Sequence, residues 1–274
     1  MAVGTSSPTE LRSSIHRTAR SLVSTTSTVE RMMAFTLITL GTLVTQHRRA
    51  RALITPLIGN QLFRAGVRMV PMVCFLGMAL GVLIVGQIES ILQQVGANQY
   101  SGALVVTVII RELAPLVSGL VVFARVGTAS VIELGTARAL GEIEALEALG
   151  IDPIHYLVVP RVIGFTVSVM GLTLYCILTA LLSGYAFAFS RGLPLNPEAY
   201  IGRIVSALSW VDFPLLAAKS GLFGMITALV VSYQGLARPL RLEQLGDTTA
   251  LSVVYCLVIC LTVDIGFIPL YILL

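Results

Sequence analysis

The chain has 274 residues, of which 56% are hydrophobic and only 12% charged. A soluble domain carries about 25% charged residues, so this load, with a mean hydropathy of +0.90, excludes an ordinary water-soluble globule and points to lipid as the solvent. The net charge of +4 is no nucleic-acid footprint, because nine of the 18 basic residues (Arg12, Arg17, Arg20, Arg31, Arg48, Arg49, Arg51, Arg64 and Arg68) precede residue 69 and serve to orient the chain.

Residues 1–29 are Ser/Thr/Arg-rich without an apolar core, which predicts a flexible cytoplasmic tail and no signal peptide. Residues 32–45 are apolar for 14 residues, too few for the roughly 20 that span a bilayer. Thr36, Thr39, Thr42 and Thr45 recur every third residue, with Arg31 and the basic run His47–Arg51 on either side. This pattern predicts an interfacial amphipathic helix over 30–50. Five spans follow, at 66–90, 101–126, 154–189, 213–236 and 249–272. The expected fold is therefore an all-α integral membrane protein. A loop is expected at 190–212, where Pro194, Asn196 and Pro197 cluster.

Charge sets the orientation. Residues 87–100 hold no Lys or Arg and should be external, whereas Arg238 and Arg241 follow the fourth span and should be cytoplasmic. The N-terminus is then cytoplasmic and the C-terminus external, with Arg191 and Arg203 departing from the rule. Five spans do not divide into two equal inverted repeats, and no internal repeat is visible. The four cysteines (Cys74, Cys176, Cys256, Cys260) lie in apolar runs and suit packing, and three histidines offer no metal site.

Between the second and third spans the chain turns polar. Around Leu140–Gly150 it reads as a short helix with Ile143, Leu146 and Gly150 on one face and Glu144 and Glu147 on another. Gly150 suits its C-terminal cap. Asp152 and Pro153 suit the N-cap and first position of the next helix. Such a helix fits docking into a partner, and it equally fits an interfacial helix with solvated glutamates.

Four ionisable residues fall inside spans: Arg111, Glu112, Lys219 and Asp264. Each costs roughly 2.5–3.5 kcal/mol at a helix centre on insertion scales. At 1.5 Å per residue, Arg111 and Asp264 lie about 15 Å from the outer ends of their helices and Lys219 about 9 Å, so the set can meet. Arg111 and Glu112 are adjacent, about 100° apart on a helix, and cannot share one partner. Pro115 has no N–H to give the Arg111 carbonyl and is expected to kink the helix there. Two readings stand: ion pairs that join helices two, four and five, or a basic group that meets a lipid phosphate with the acids balancing the charge. Gly77, Gly81 and Gly86 permit close helix approach, within the chain or at a dimer face, as does the pair Gly135 and Ala139. Leu76, Leu80, Leu83 and Ile84 are candidates to line a lipid cavity, or they face bulk lipid.

The run Arg111-Glu112-Leu113-x-Pro115, then Ala124-Arg125-x-Gly127, Glu133-Leu134-Gly135, Arg138, Glu142-Ile143-x-Ala145-Leu146-Glu147, Leu149-Gly150, Asp152-Pro153 and Pro160-Arg161 resembles the MlaE (YrbE) permease family of the Mla and Mce lipid-transport systems. Lys219-Ser220 with Gly224, Tyr233 with Gly235, Thr248-Thr249 and Asp264 extend the resemblance over roughly residues 30–272. The stretch Leu242–Asp247 departs from the Gly-Val-Gly-like run of the family. The resemblance implies a homodimeric inner-membrane permease with cytoplasmic ABC ATPase subunits and a periplasmic MCE-domain partner. It implies phospholipid or a related lipid as cargo, moving through a cavity between the two copies. Residues 133–152, with Glu133, Gly135, Arg138, Glu142, Ile143, Glu144, Leu146, Glu147, Gly150, Asp152 and Pro153, would be the region that couples to the ATPase. The chain has no phosphate-binding loop: Ala218 stands where the glycine before Lys219-Ser220 would be needed. No cofactor is therefore expected in this chain, and ATP with Mg is expected on the partner. An ion-coupled lipid or small-molecule carrier is the alternative, and it needs no acidic docking helix.

Overall fold

The computed structural model describes residues 32, 34–39, 41, 51–191, 196–236 and 245–273. The expected tail over 1–29, most of the interfacial helix at 30–50, and Arg238, Arg241 and Leu242–Gln244 lie outside the described residues. The chain divides into two units, Met1–His47 and Arg48–Leu274. In the first, residues 34–39 are helical. The Thr36 and Thr39 hydroxyls donate to the carbonyls of Met32 and Phe35, each at 2.8 Å, so these two are satisfied along their own helix; Thr42 and Thr45 lie outside the described residues.

In the second unit every element among the described residues is a helix. Five are long and apolar enough to cross a membrane: α1 (Thr55–Val95), α2 (Ser101–Ala139), α4 (Ile154–Ser190), α6 (Asp212–Leu236) and the core of α7, at Thr248–Tyr271. Helix α7 as a whole runs Leu245–Leu273. Two short helices, α3 (Glu142–Ala148) and α5 (Pro197–Ala207), connect them. Helices α1 and α2 extend well past the expected spans of 66–90 and 101–126. A hydropathy window stops at Gln61, Arg64 or Arg138, but a helix continues as long as its backbone bonds are satisfied. The loop expected at 190–212 contains α5, which starts after an extended Asn196, with Pro197 in its first turn and Glu198 beside its positive end.

Helix α4 is the hub, packing against α1, α2 and α6, and α6 also touches α2 and α7. Helix α6 is the most buried of the five and α7 the least. The seam between α1 and α4 is made by glycines. A Cβ on Gly81 would run into the Ala180 carbonyl and the Ser183 hydroxyl, and one on Gly77 into Thr179. Across the same seam the Ser183 hydroxyl donates to the Met78 carbonyl at 3.1 Å. These glycines therefore serve packing within one chain. Gly81→Ala is expected to destabilise by about 1–3 kcal/mol through overpacking. Gly59→Ala, where a Cβ meets nothing within 4 Å, should be neutral or gain up to about 1 kcal/mol of helix propensity. Melting of the two purified variants in detergent checks this, and equal stability would dissolve the seam.

Candidate functional site

Along α2 the backbone twice widens from i→i+4 to i→i+5 hydrogen bonding, over Val106–Leu113 and over Phe123–Gly127. The Ala114 N–H reaches the Ile109 carbonyl, and the Thr128 N–H reaches that of Phe123. Wide turns of this kind recur at functional sites. Here the first carries Arg111 and Glu112 and the second carries Arg125. Pro115 has no N–H to offer the Arg111 carbonyl and its ring crowds that oxygen. The Lys219 ammonium fills the vacancy, donating to the Arg111 carbonyl oxygen at 2.8 Å.

Lys219 is fully buried, at 0% exposure, on the centre-facing side of α6. Its Nζ also donates to Glu112 Oε2 at 2.7 Å and lies 2.7 Å from Asp264 Oδ1, outside hydrogen-bond alignment. The rings of Tyr271 and Phe267 stand 5.7 and 5.9 Å away. One ammonium therefore joins α2, α6 and α7. Arg111 turns to Asp212, with Nη2 donating to Oδ2 at 3.0 Å and Nε 2.9 Å from Oδ1, while its guanidinium lies 5.0 Å from the Tyr271 ring centre. All four intramembrane residues named from the sequence thus come together, and the adjacent Arg111 and Glu112 take separate partners two turns apart on α6. Sequence reasoning missed Asp212. Its signal was present: Ser209-Trp210-Val211-Asp212 is a capping box before an apolar run. The Ser209 N–H donates to Asp212 Oδ2 at 2.8 Å and the Val211 N–H reaches Ser209 Oγ at 3.5 Å.

At the opposite end, α3 sits between two left-handed glycines, Gly141 (φ 78°) and Gly150 (φ 76°). The Gly150 N–H donates to the Glu147 carbonyl at 2.9 Å and the Ile151 N–H to that of Leu146 at 3.0 Å, the paired bonds of a Schellman cap. Asp152 Oδ1 accepts the Ile154 N–H at 3.0 Å, and Pro153 opens α4's first turn. Ile143 is buried and Leu146 half-buried, which anchors α3, while Glu142, Glu144, Glu147, Gly150 and Asp152 are exposed and Pro153 half-buried. Around them Leu140, Leu149 (75%) and Ile151 are also exposed, a ridge of apolar groups with an acidic rim.

Gly135 is buried and Arg138 half-buried on α2. Glu133 does not stand on the ridge. Its Oε2 accepts from Arg64 Nη1 and Nη2 at 3.3 Å, and its Oε1 lies 3.3 Å from Nη2 of the buried Arg161. One carboxylate thus holds the ends of α1, α2 and α4. Leu76, Leu80 and Ile84 are half-buried and Leu83 is exposed. A further pair went unnoticed in the sequence: buried Glu89 of α1 lies 3.9 Å from Arg203 of α5. No group of three or more His, Cys, Asp or Glu suited to a metal is present among the described residues.

Comparison with known proteins gives a coherent picture. The sequence profile described as Permease MlaE matches residues 58–269. A probable ABC transporter permease protein of Rickettsia felis is 30% identical over 198 residues, covering 72% of this chain and 76% of that protein. One from Synechocystis is 31% identical over 159 residues, covering 58% and 60%. The chloroplastic protein Trigalactosyldiacylglycerol 1 of Arabidopsis thaliana is 31% identical over 192 residues, covering 67% of this chain and 51% of that protein.

Proposed function

The chain belongs to the MlaE permease family of ABC transporters, and from that premise we propose that it moves phospholipid or a related lipid between the inner membrane and a periplasmic MCE-domain partner, driven by separate cytoplasmic ATPase subunits. The lipid class draws support from the Arabidopsis relative, whose name is that of a galactolipid. The observation that carries the reading is the ridge around α3: a short helix locked by two left-handed glycines, presenting Leu140, Leu149 and four carboxylates outward. Apolar groups held rigidly on a polar rim are what a protein partner recognises. Residues 133–152 would then be cytoplasmic, and ATP with Mg would sit on that partner. The N-terminus would be cytoplasmic and the C-terminus periplasmic.

A second copy of the chain supplies the other wall of the lipid path. Helix α7, the least buried span, supports this with an exposed row of Leu251, Val254, Val258, Leu261, Ile265 and Ile268 at alternating three- and four-residue spacing. Leu76, Leu80, Leu83 and Ile84 remain candidates for that wall. Lys219, with three oxygen partners and no exposure, supports the reading in which the charged cluster joins helices; Arg111, with 22% side-chain exposure, keeps the reading in which a basic group meets a lipid phosphate.

Purification from native membranes in mild detergent, followed by mass spectrometry of bound subunits and lipids, tests the assembly. An ATPase, an MCE-domain protein and phospholipid are expected in the sample. Lipid transport in vesicles by this chain without any ATPase would replace the proposal with an ion-coupled carrier.

A further inference from the structure

Where α1 and α4 end together, a groove of about 300 Å³ opens between them, lined chiefly by Gln87, Ser90, Gln93, Gln94, Phe187 and Arg191. Its volume lies at the lower bound of ordinary small-ligand sites. The lining is one cation, three amides and a hydroxyl, with no carboxylate. The acid nearest in sequence, Glu89, is buried and turned to Arg203. No acidic residue occurs between Arg191 and Glu198.

Among the described residues Arg191 has no ion-pair partner. The Phe187 ring rests against Gly86, where a Cβ would collide with it, and the Arg191 guanidinium lies 5.1 Å from that ring's centre. A guanidinium held by an aromatic face keeps its N–H fork available, and that fork matches phosphate oxygens in pairs. The groove also stands at a boundary. Leu83, one turn before Gln87 on α1, is 67% exposed, and Leu182 on α4 is 69% exposed. The outward surface of α1 changes there from apolar to amide-rich, at Gln87, Gln93 and Gln94, while α4 stays apolar to the exposed Phe189 and then ends on Arg191, as expected at the depth where acyl chains give way to headgroups.

We propose that this groove binds the phosphodiester of a single membrane phospholipid, with Arg191 as the bidentate donor and Gln87, Ser90 and Gln94 completing the cradle. The lipid would lie against α1 and α4, with its chains over Leu83 and Leu182. It is a bound neighbour of the bundle and is separate from the cargo path. The site does not rest on the transport reading: a chain that never met an ATPase would still show it.

The test uses the full-length protein in detergent, titrated with phosphatidylglycerol and, in a parallel arm, with inorganic phosphate, and read by native mass spectrometry. One phosphatidylglycerol per chain is expected to bind about tenfold more weakly to Arg191→Ala, which is about 1.4 kcal/mol. Arg191→Lys should fall between, because an ammonium keeps the charge and loses the fork. Gln94→Ala, on an exposed position, should weaken binding about threefold, and it decides the matter if Arg191→Ala does not fold. Unchanged lipid binding in the variant that folds overturns the site. Displacement of the lipid by about 10 mM inorganic phosphate, an order-of-magnitude test concentration well above weak-site affinities, overturns the lipid assignment in favour of a soluble anion.

Discussion

Lys219→Met should lower the stability of the bundle by about 3 kcal/mol, the lower end of the range for breaking a buried ion pair. The substitution keeps the length of the side chain and removes one positive charge from between two carboxylates. Glu112 and Asp264 are then left facing each other, with the Arg111 carbonyl also unsatisfied. Neither acid is fully buried, at 28% and 15% side-chain exposure, so water or a proton relieves part of the strain and the upper end of the range is not reached. Thermal denaturation in detergent, followed by size-exclusion of the surviving fraction, measures the loss. Lys219→Met combined with Glu112→Gln and Asp264→Asn should recover most of it, since a neutral set of similar shape carries no unpaired charge. Lys219→Asp with Asp264→Lys should recover transport if pairing is what matters. A Lys219→Met protein that melts like the parent would remove the clamp from the account.

Glu144→Lys together with Glu147→Lys should abolish most ATPase association while leaving the melting behaviour of the permease unchanged. Both residues are exposed and neither makes an ion pair among the described residues, so their reversal costs the isolated fold little. Against a basic partner surface it converts attraction into repulsion. Leu149→Ala provides the apolar counterpart. At 75% exposure in the free chain it has area to bury, and an anchor of this kind contributes about 2 kcal/mol or more, roughly a thirtyfold change in affinity. Co-purification with the ATPase is the readout. Full retention in both variants would return α3 to the role of an interfacial helix with solvated glutamates.

Much of this was legible in the residues. Runs of apolar side chains marked five spans because lipid leaves the backbone no other partner than itself. Gly150, Asp152 and Pro153 announced a helix stop and start, and their caps formed as their chemistry requires. Pro115 pointed to a carbonyl in need of a donor, and counting residues placed Lys219 in the same outer half as Arg111, about 9 Å against about 15 Å from the helix ends. What stayed hidden was partnership across sequence distance. Nothing near Glu133 says that Arg64 and Arg161 will reach it from two other helices. Asp212 and Glu89 sat at helix ends, where an acid is read as a cap or a solvated group until the neighbouring helix is in place. Helix α5 was missed because two prolines within four residues look like a loop, although one of them opens its first turn.

The carboxylate of Glu133 has a mechanical corollary. Three helices share this one side chain, so a displacement of α2 near Glu133 is felt by α1 and α4 as well. Either the guanidinium groups travel with it, or the Arg64 contact on Oε2 or the Arg161 contact on Oε1 is given up. The other places where the regular ladder of α2 is already interrupted are the widened turns that begin with Phe123 and Val106, so bending of that helix has sites apart from this junction.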